Sequence, residues 1–241
     1  MSEKLIIAIE TSGRVGSAAI GRGNELISDI SFSGFMKHSA ELHCTLEKLL
    51  HQANASPDDV EQCYITAGPG SFTGLRIAVT AAKMFYFTQK AQIIAADSMD
   101  VIAESASRYA ADTGQTVDCI ATILDAKKDL FYAAVFDRVD ESWKKCLGTG
   151  LFSVEQLLDW LETNKKKDVG LLGEGLVYYA EKFKAPFTHL LDESYWSATA
   201  AGLFRVGRRM ATEEQFADPF ALTPRYIRGA NAAVKRPRKK S

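Results

Sequence analysis

The order of predicted strands and helices is the feature that most restricts the fold of this chain. Apolar runs between Gly-rich turns predict strands, and apolar residues spaced by about 3.6 positions predict helices. In the first half, the predicted strands are 4–10, 17–21, 25–33, 62–67 and 92–96, and the predicted helices are 39–54, 74–89 and 98–112. Three consecutive strands are therefore followed by alternating helices and strands, in the order βββαβαβα.

The second half repeats this order with negligible sequence identity to the first. Its predicted strands are 116–125, 130–137, 143–148, 169–172 and 187–191, and its predicted helices are one opened by Ser153, one at 173–184 and one at 197–212. Two such units in tandem predict two lobes, each with a mixed sheet covered by helices. By analogy this is an α/β protein with a duplicated ribonuclease-H-like fold, as in the actin, hsp70 and sugar-kinase group.

This repeat predicts how the chain is divided into lobes. We expect an N-terminal lobe at 1–113, which binds a partner, and a C-terminal lobe at 114–212. Segment 213–228 is expected to return to the N-terminal lobe. The rest, 229–241, is basic and has the composition of a disordered tail.

The charge is divided unevenly along the chain. The chain carries a net charge of −1, while residues 229–241 carry five Lys and Arg and no acid, so residues 1–228 carry −6. A body of that charge is a poor nucleic-acid binder. The tail is either a phosphate-seeking arm or a solvated end. No apolar run approaches 18 residues, no signal peptide is recognisable, and the four cysteines are scattered, which together predict a cytoplasmic protein with no membrane span.

A Gly-rich loop joins a predicted strand to the helix at 74–89. This signature loop is Gly68, Pro69, Gly70, Ser71, Phe72, Thr73 and Gly74. A loop that opens a helix presents unpaired backbone N–H groups and suits an anion. The loop nevertheless fails the Walker, dinucleotide and serine-hydrolase templates. A tight structural turn and an anion site are both compatible with it.

Six ordered motifs resemble one known family over nearly the whole chain. They are Ile9-Glu10-Thr11-Ser12, His38-Ser39, the loop from Gly68 to Arg76, Leu124-Asp125-Ala126-Lys127, Gly173-Glu174-Gly175, and Pro224-Arg225-Tyr226-Ile227-Arg228. Together they resemble the bacterial TsaB (YeaZ) family, which takes part in making threonylcarbamoyladenosine in tRNA. The residues after Arg228 lie beyond this resemblance.

The resemblance implies a non-catalytic scaffold subunit. It would bind and activate a TsaD-like catalytic subunit together with a TsaE-like ATPase, reach tRNA through the complex, and form a homodimer when alone. The basic tail, which the resemblance does not cover, is a candidate for a direct contact with tRNA. It implies no cofactor. The two metal-binding histidines of TsaD correspond here to Ser98 and Ile102, neither of which is a useful ligand for a transition metal.

Other functions stay open from the residues alone. Glu10 and Asp125 each end the first strand of a half, where the actin-like fold would direct carboxylates toward phosphate and Mg²⁺. A nucleotide-binding ATPase or sugar-kinase-like enzyme is therefore one alternative function, unless Glu10 and Asp125 are simply acidic residues at hairpin turns. A peptidase is a second alternative function, although no Ser/His/Asp order supports it.

The predicted helix at 74–89 is apolar on more than one face, so it needs cover on more than one side. The helix at 39–54 is its expected neighbour, and the resemblance implies that the two form a bundle with a partner. Its expected partner-binding residues are Leu75, Arg76, Val79, Thr80 and Lys83, with His38 and Leu42 from the first helix. The run Phe85-Tyr86-Phe87 is expected to be core or interface, and a Glu at position 79 or 80 is expected to block assembly without unfolding the monomer.

Overall fold

A computed structural model describes residues 3–34 and 37–227, apart from the side chain of His38. The first lobe contains a five-stranded mixed sheet in the order β3-β2-β1-β4-β5. Its strands are β1 Leu5–Glu10, β2 Ser17–Arg22, β3 Glu25–Ser31, β4 Val60–Gly68 and β5 Gln92–Asp97. The first three pair antiparallel, and β1, β4 and β5 pair parallel. Its helices are α1 His38–Gln52, α2 Phe72–Gln89 and α3 Ser98–Thr113.

The second lobe repeats the topology of the first. Its strands are β6 Cys119–Asp125, β7 Phe131–Val139, β8 Ser142–Phe152, β9 Val169–Leu172 and β10 Thr188–Leu190. Their order is β10-β9-β6-β7-β8. Read from the β8 edge, it is the order of the first sheet with each strand replaced by its counterpart. Its helices are α4 Val154–Thr163, α5 Leu176–Tyr179 and α6 Ala200–Thr212. The duplicated ribonuclease-H-like fold predicted from the sequence is confirmed.

Several predicted boundaries are wrong for local reasons. Helix α2 begins at Phe72, two residues early, because Ser71 caps it and its Oγ accepts the Gly74 N–H at 3.2 Å. The helix predicted at 173–184 consists of the four-residue α5 and a 3₁₀ turn. Helix α6 begins at Ala200, because Thr199 caps it.

The strand β1 is buried on both faces and separates two apolar cores. Ile6 and Ala8 belong to a core that continues through α3 and α6 into the second lobe, whereas Leu5, Ile7 and Ile9 belong to the core beneath α1 and α2. This division follows the period of two along a strand.

Helices α3 and α6 interlock the lobes. Each contacts strands of the other lobe, since α3 packs on β7 and β8 and α6 packs on β1, β2, β4 and β5. Buried Glu104 on α3 joins the two helices by accepting from Arg205 at 3.0 Å and Arg209 at 2.7 Å.

The segment after α6, residues 213–227, runs back over the first lobe. We call it the C-terminal arm. The Ala217 N–H donates to Ile93 O at 2.8 Å, and the Arg225 N–H donates to Ala67 O at 2.7 Å. Leu222 is buried in the core beneath α1 and α2. The predicted tail and Arg228 lie outside the described residues.

Candidate functional site

An apolar groove of about 640 Å³ lies between α1 and α2 on the surface of the first lobe. Its apolar lining is Leu42, Leu46, Leu50, Ile77, Ala81, Met84 and Phe85. Met84 is 62% exposed, which is unusual for a side chain of its size and hydrophobicity. Such a groove between two helices is the shape that an apolar helix face of a partner fills.

Some of the expected partner-binding residues lie at this groove and others do not. Leu42, Arg76 and Thr80 line the groove. Lys83 is half-buried and lies outside the lining residues, and the side chain of His38 is outside the described part of the chain.

Leu75 and Val79 require a correction. They are 1% and 6% exposed, so they point away from the solvent-facing side of α2. Val79 belongs to the core beneath α1 and α2. A partner could not contact these two side chains without opening the protomer, so their assignment to a contact surface is wrong for this geometry. The i, i+4 spacing from Arg76 to Thr80 does mark the exposed side of the helix.

The signature loop is packed closely against the end of β1. The Ser71 N–H donates to Ser12 O at 2.8 Å, and Thr11 Oγ1 donates to Gly74 O at 2.8 Å. Gly68 has φ of +124°, and a Cβ there would lie 2.6 Å from Arg225 O. The glycines thus allow the strand-to-helix turn to lie close to two other segments of backbone. This agrees with the interpretation of the loop as a tight structural turn.

Gly74→Ala is expected to destabilise the protein strongly. A Cβ at this position would lie 1.8 Å from Thr11 O, a backbone atom of the buried strand end, so α2 would have to move. We expect a loss of at least about 3 kcal/mol in the free energy of unfolding. Gly148→Ala is the matched control, because a Cβ there meets nothing within 4 Å. Denaturant unfolding of the two variants provides the comparison, and equal stability would contradict the packing described.

Glu10 lies at the end of β1 and is fully buried. Its Oε1 accepts the Ser12 N–H at 2.8 Å, the Ser12 hydroxyl, and Thr66 Oγ1 at 3.1 Å. Its Oε2 is buried without a hydrogen-bond partner among the described residues. Desolvation by burial raises the pKa of Glu10 to about 7. A fully buried carboxyl whose Oε1 is already bound by Ser12 and Thr66 is poorly suited to holding Mg²⁺ in an open cleft.

Asp125, the counterpart of Glu10 in the second lobe, is engaged by its own turn. It accepts the Lys127 backbone N–H at 2.7 Å and the Lys127 ammonium at 2.5 Å. The structure therefore does not bring Glu10 and Asp125 into one hydrogen-bonded group.

Glu174 links the two lobes, and the sequence did not reveal this role. It belongs to the Gly-Glu-Gly turn after β9, and its carboxylate accepts the Arg14 N–H at 2.9 and 3.2 Å and Ser197 Oγ at 2.9 Å. Burial raises the pKa of Glu174. Arg14 also donates to Tyr178 at 2.9 Å. The Glu174 carboxylate of the second lobe thus binds the backbone of the β1–β2 turn in the first lobe.

Asp97, at the end of β5, is a second residue that sequence reasoning missed. Its Oδ2 accepts from Thr149 at 2.6 Å and from Lys145 and Arg225 at 3.2 Å. Three parts of the chain meet at this carboxylate: the first lobe, the strand β8 of the second lobe and the C-terminal arm. Asp97 also caps α3 by accepting the Met99 N–H at 2.9 Å, which its position before the predicted helix could have shown. Its long-range partners come together only in the tertiary fold.

The two positions that correspond to metal-binding histidines lie in the interior. Ser98 is 0% exposed, and Ile102 is 1% exposed and belongs to the same core as Ile6 and Ala8. Among the described residues, no group of three or more His, Cys, Asp or Glu side chains is arranged to hold a metal ion. Within residues 3–34 and 37–227, no helix is both long and apolar enough to cross a membrane.

Comparison with known proteins places these features in one family. Residues 30–231 match the family model described as TsaD, tRNA N6-adenosine threonylcarbamoyltransferase. The tRNA threonylcarbamoyladenosine biosynthesis protein TsaB of Bacillus subtilis (strain 168) is 26% identical over 95% of this chain and 96% of its own length. A tRNA N6-adenosine threonylcarbamoyltransferase of Staphylococcus haemolyticus is 32% identical, but only over 38% of this chain and 32% of its own.

Two solved structures share the fold. YeaZ from Pseudomonas aeruginosa superposes with a TM-score of 0.76 at 18% identity, covering 92% of this chain and 99% of that one. A Pseudomonas aeruginosa protein described as uncharacterized, with similarity to peptidase YeaZ, superposes with a TM-score of 0.79 at 19% identity, covering 93% and 100%. At this identity the superpositions establish the two-lobed fold.

Proposed function

Since the chain belongs to the family of TsaD, tRNA N6-adenosine threonylcarbamoyltransferase, and resembles a TsaB protein over 95% of its length, we propose that it is a non-catalytic subunit. In this proposal it binds and activates a TsaD-like catalytic subunit. Its place in tRNA threonylcarbamoyladenosine biosynthesis follows from these relatives. What we propose is the role of this chain within that biosynthesis.

The groove between α1 and α2 is the observation that carries the proposal. Its lining is apolar along most of its length, and the exposed Met84 and the Arg76 and Thr80 side chains border it. An apolar helix face of a partner would bury these side chains, which stabilises association in proportion to the apolar area removed from water. A second copy of this chain could use the same groove when the catalytic subunit is absent, which gives the proposed homodimer.

The buried carboxylates support a non-catalytic role. Glu10 is enclosed by Ser12 and Thr66, and Glu174 occupies the backbone N–H of Arg14 at the β1–β2 turn. Glu10 Oε1 and both oxygens of Glu174 are already bound to other groups of the chain, while Glu10 Oε2 has no partner among the described residues. The contacts that are made favour a structural role for these carboxylates over a nucleotide cleft. The ATPase of the proposed complex is a separate TsaE-like subunit.

The experiment that tests this function is reconstitution with the cognate TsaD-like and TsaE-like subunits. The full chain should co-purify with the tagged TsaD-like subunit, and the mixture should form threonylcarbamoyladenosine in tRNA, measured by mass spectrometry of the nucleosides. The chain by itself should form none and should bind no nucleotide by calorimetry. Product formation by the chain alone, or full activity of the other subunits without it, would overturn the proposal.

A further inference from the structure

The C-terminal arm contacts both ends of α2. At the end of the helix, the ring of Phe220 packs edge-on against the rings of Tyr86 and Phe87, with centroids 5.9 Å from each. At its start, the ring of Tyr226 stacks on that of Phe72 with centroids 5.0 Å apart and an interplanar angle of 27°. The two contacts are 15 residues apart on α2, which corresponds to about 22 Å along the helix. The arm therefore borders α2 over most of its length.

The arm supports α2 on the side away from the groove. Toward α1 the helix is open, because the groove lies between α1 and α2. Of the five buried residues of α2, three are small, namely Gly74, Ala78 and Ala82. Small side chains form shallow ridges that interlock weakly with a neighbouring surface, so they leave a helix free to shift sideways. Leu222 of the arm is buried in the same core as Val79 of α2 and limits this shift.

Arg225 fixes the end of the arm. Its backbone N–H donates to Ala67 O at 2.7 Å, and its Nη1 donates to Asp97 Oδ2 at 3.2 Å. The Asp97 side chain is 7% exposed, accepts from Thr149 at 2.6 Å and caps α3, so its own position is fixed. Because Tyr226 follows directly in the chain, an anchored Arg225 limits where the Tyr226 ring can lie.

Arg76 connects this end of the arm to the groove. It lines the groove on α2, its guanidinium lies 3.9 Å from the Phe72 centroid, and its Nε donates to the Tyr226 hydroxyl at 3.1 Å. A displacement of Tyr226 would therefore move a residue of the groove wall. Asp97 and Arg225 themselves lie outside the groove lining.

We infer that the C-terminal arm acts as a strap that holds α2 at the distance from α1 that the partner requires, and that Arg225, through Asp97, positions it. This inference rests on the proposed function, because the groove is the surface whose width the arm sets. Arg225 is a positioning residue in this role, since its contact with Asp97 lies away from the groove. Changes at that contact should then alter the affinity for the TsaD-like subunit although neither side chain meets it.

The test measures the affinity of full-length variants for the TsaD-like subunit by calorimetry. Arg225→Ala and Asp97→Asn should each weaken binding about fivefold, as coupling between separate sites does. Asn keeps an oxygen that can accept the Met99 N–H, so the cap of α3 is retained. Because both changes break one contact, the double variant should bind like each single one rather than about 25-fold more weakly. The contact uses one nitrogen, so Arg225→Lys should bind within about twofold of the unmodified chain.

Arg205→Ala is the matched control. Like Arg225, Arg205 is partly exposed and binds a carboxylate that is 7% exposed, that of Glu104, which keeps Arg209 as a second partner. It lies on α6 and outside the arm, so its loss should leave the affinity unchanged. Equal affinity of Arg225→Ala and the unmodified chain would overturn the inference. Additive losses in the double variant would also overturn it, because Arg225 would then contact the partner directly.

A second measurement needs no partner. In the free chain, Arg225→Ala should accelerate amide hydrogen exchange in residues 72–80 about fivefold, while the denaturant midpoint of the whole chain changes little. Arg205→Ala should leave exchange in this segment unchanged. If Arg225→Ala exchanges like the unmodified chain, the arm does not position α2, whether or not the assembly forms. If exchange changes as expected but the unmodified chain does not bind the TsaD-like subunit, the proposed function is wrong and the coupling of the arm to α2 stands.

Discussion

Thr80→Glu should abolish co-purification with the TsaD-like subunit while the melting temperature of the chain changes by no more than about 2 °C. Thr80 is exposed and lines the groove between α1 and α2. A carboxylate there stays in water in the free protein, but an apolar partner face would desolvate it. The nearest cation on this face, Arg76, is already bound to the Phe72 ring and the Tyr226 hydroxyl. The resulting penalty of several kcal/mol is large compared with the affinity of most complexes.

Val79→Glu, one residue earlier, should behave in the opposite way. Val79 is 6% exposed and packs in the core beneath α1 and α2. An unpaired carboxylate there costs several kcal/mol in the folded chain itself. We expect a melting temperature about 10 °C lower or an insoluble protein.

Gln52→Glu is the matched control for added charge. Gln52 is exposed at the end of α1 and lies outside the groove lining, and the substitution adds the same single negative charge. It should leave both co-purification and melting unchanged. Intact assembly of Thr80→Glu would place the interface elsewhere, and a collapsed melt of Thr80→Glu would mean that the groove is core.

The neighbouring positions 79 and 80 show that the rotation of α2 about its axis could not be predicted from the sequence. Spacing along α2 identified Arg76 and Thr80 as one face, but the rotation of the helix about its axis depends on Gly74 resting against Thr11 O. That contact joins α2 to the end of β1, far away in the sequence. No periodicity within the helix contains it, so Val79 was predicted to lie beside Thr80 at the surface.

The elements themselves were predictable because their patterns are local. Strand β1 reads as a continuous apolar run and α4 begins with the Ser153–Gln156 capping box that the structure contains. Phe87 and Phe220 pack with ring centroids 5.9 Å apart. The sequence predicted an interface or core role for Phe87, yet it could not predict its partner, which comes from the C-terminal arm. Contacts of this kind, like those of Asp97 and Glu174, arise only when the lobes and the arm assemble.

Glu10→Gln should remove a pH dependence of stability that the unmodified chain has between about pH 4.5 and 7. Burial raises the pKa of Glu10 from 4.5 in the unfolded chain to about 7 in the folded one. Within this range the unfolded state releases the proton and the folded state keeps it. The folded protein then binds more protons than the unfolded one, so the free energy of unfolding decreases as the pH rises.

The size of this effect follows from the difference between the two pKa values. A difference of about 2.5 pKa units corresponds to about 3 kcal/mol, present in full below pH 4.5 and lost by about pH 7. A Gln keeps an acceptor for Ser12 and Thr66 and does not ionise. Its amide nitrogen takes the place of Oε2, which has no partner among the described residues. The stability of the variant relative to the unmodified chain is therefore lower at low pH than at high pH.

The measurement is the free energy of unfolding of both proteins by denaturant at pH 5 and pH 8. The difference, Glu10→Gln minus the unmodified chain, should become more favourable to the variant by about 2.5 kcal/mol at the higher pH. Asp100, whose pKa is also raised by burial, is present in both proteins and cancels in this difference. The repulsion between the charges of Glu10 and Glu174 is lost in the variant and is part of the effect that is measured. Glu61→Gln, an exposed change on β4, is the control and should show no such shift. An equal difference at the two pH values would mean that Glu10 is ionised inside the folded protein over the whole range, and that an unseen group stabilises its charge at the unpartnered Oε2.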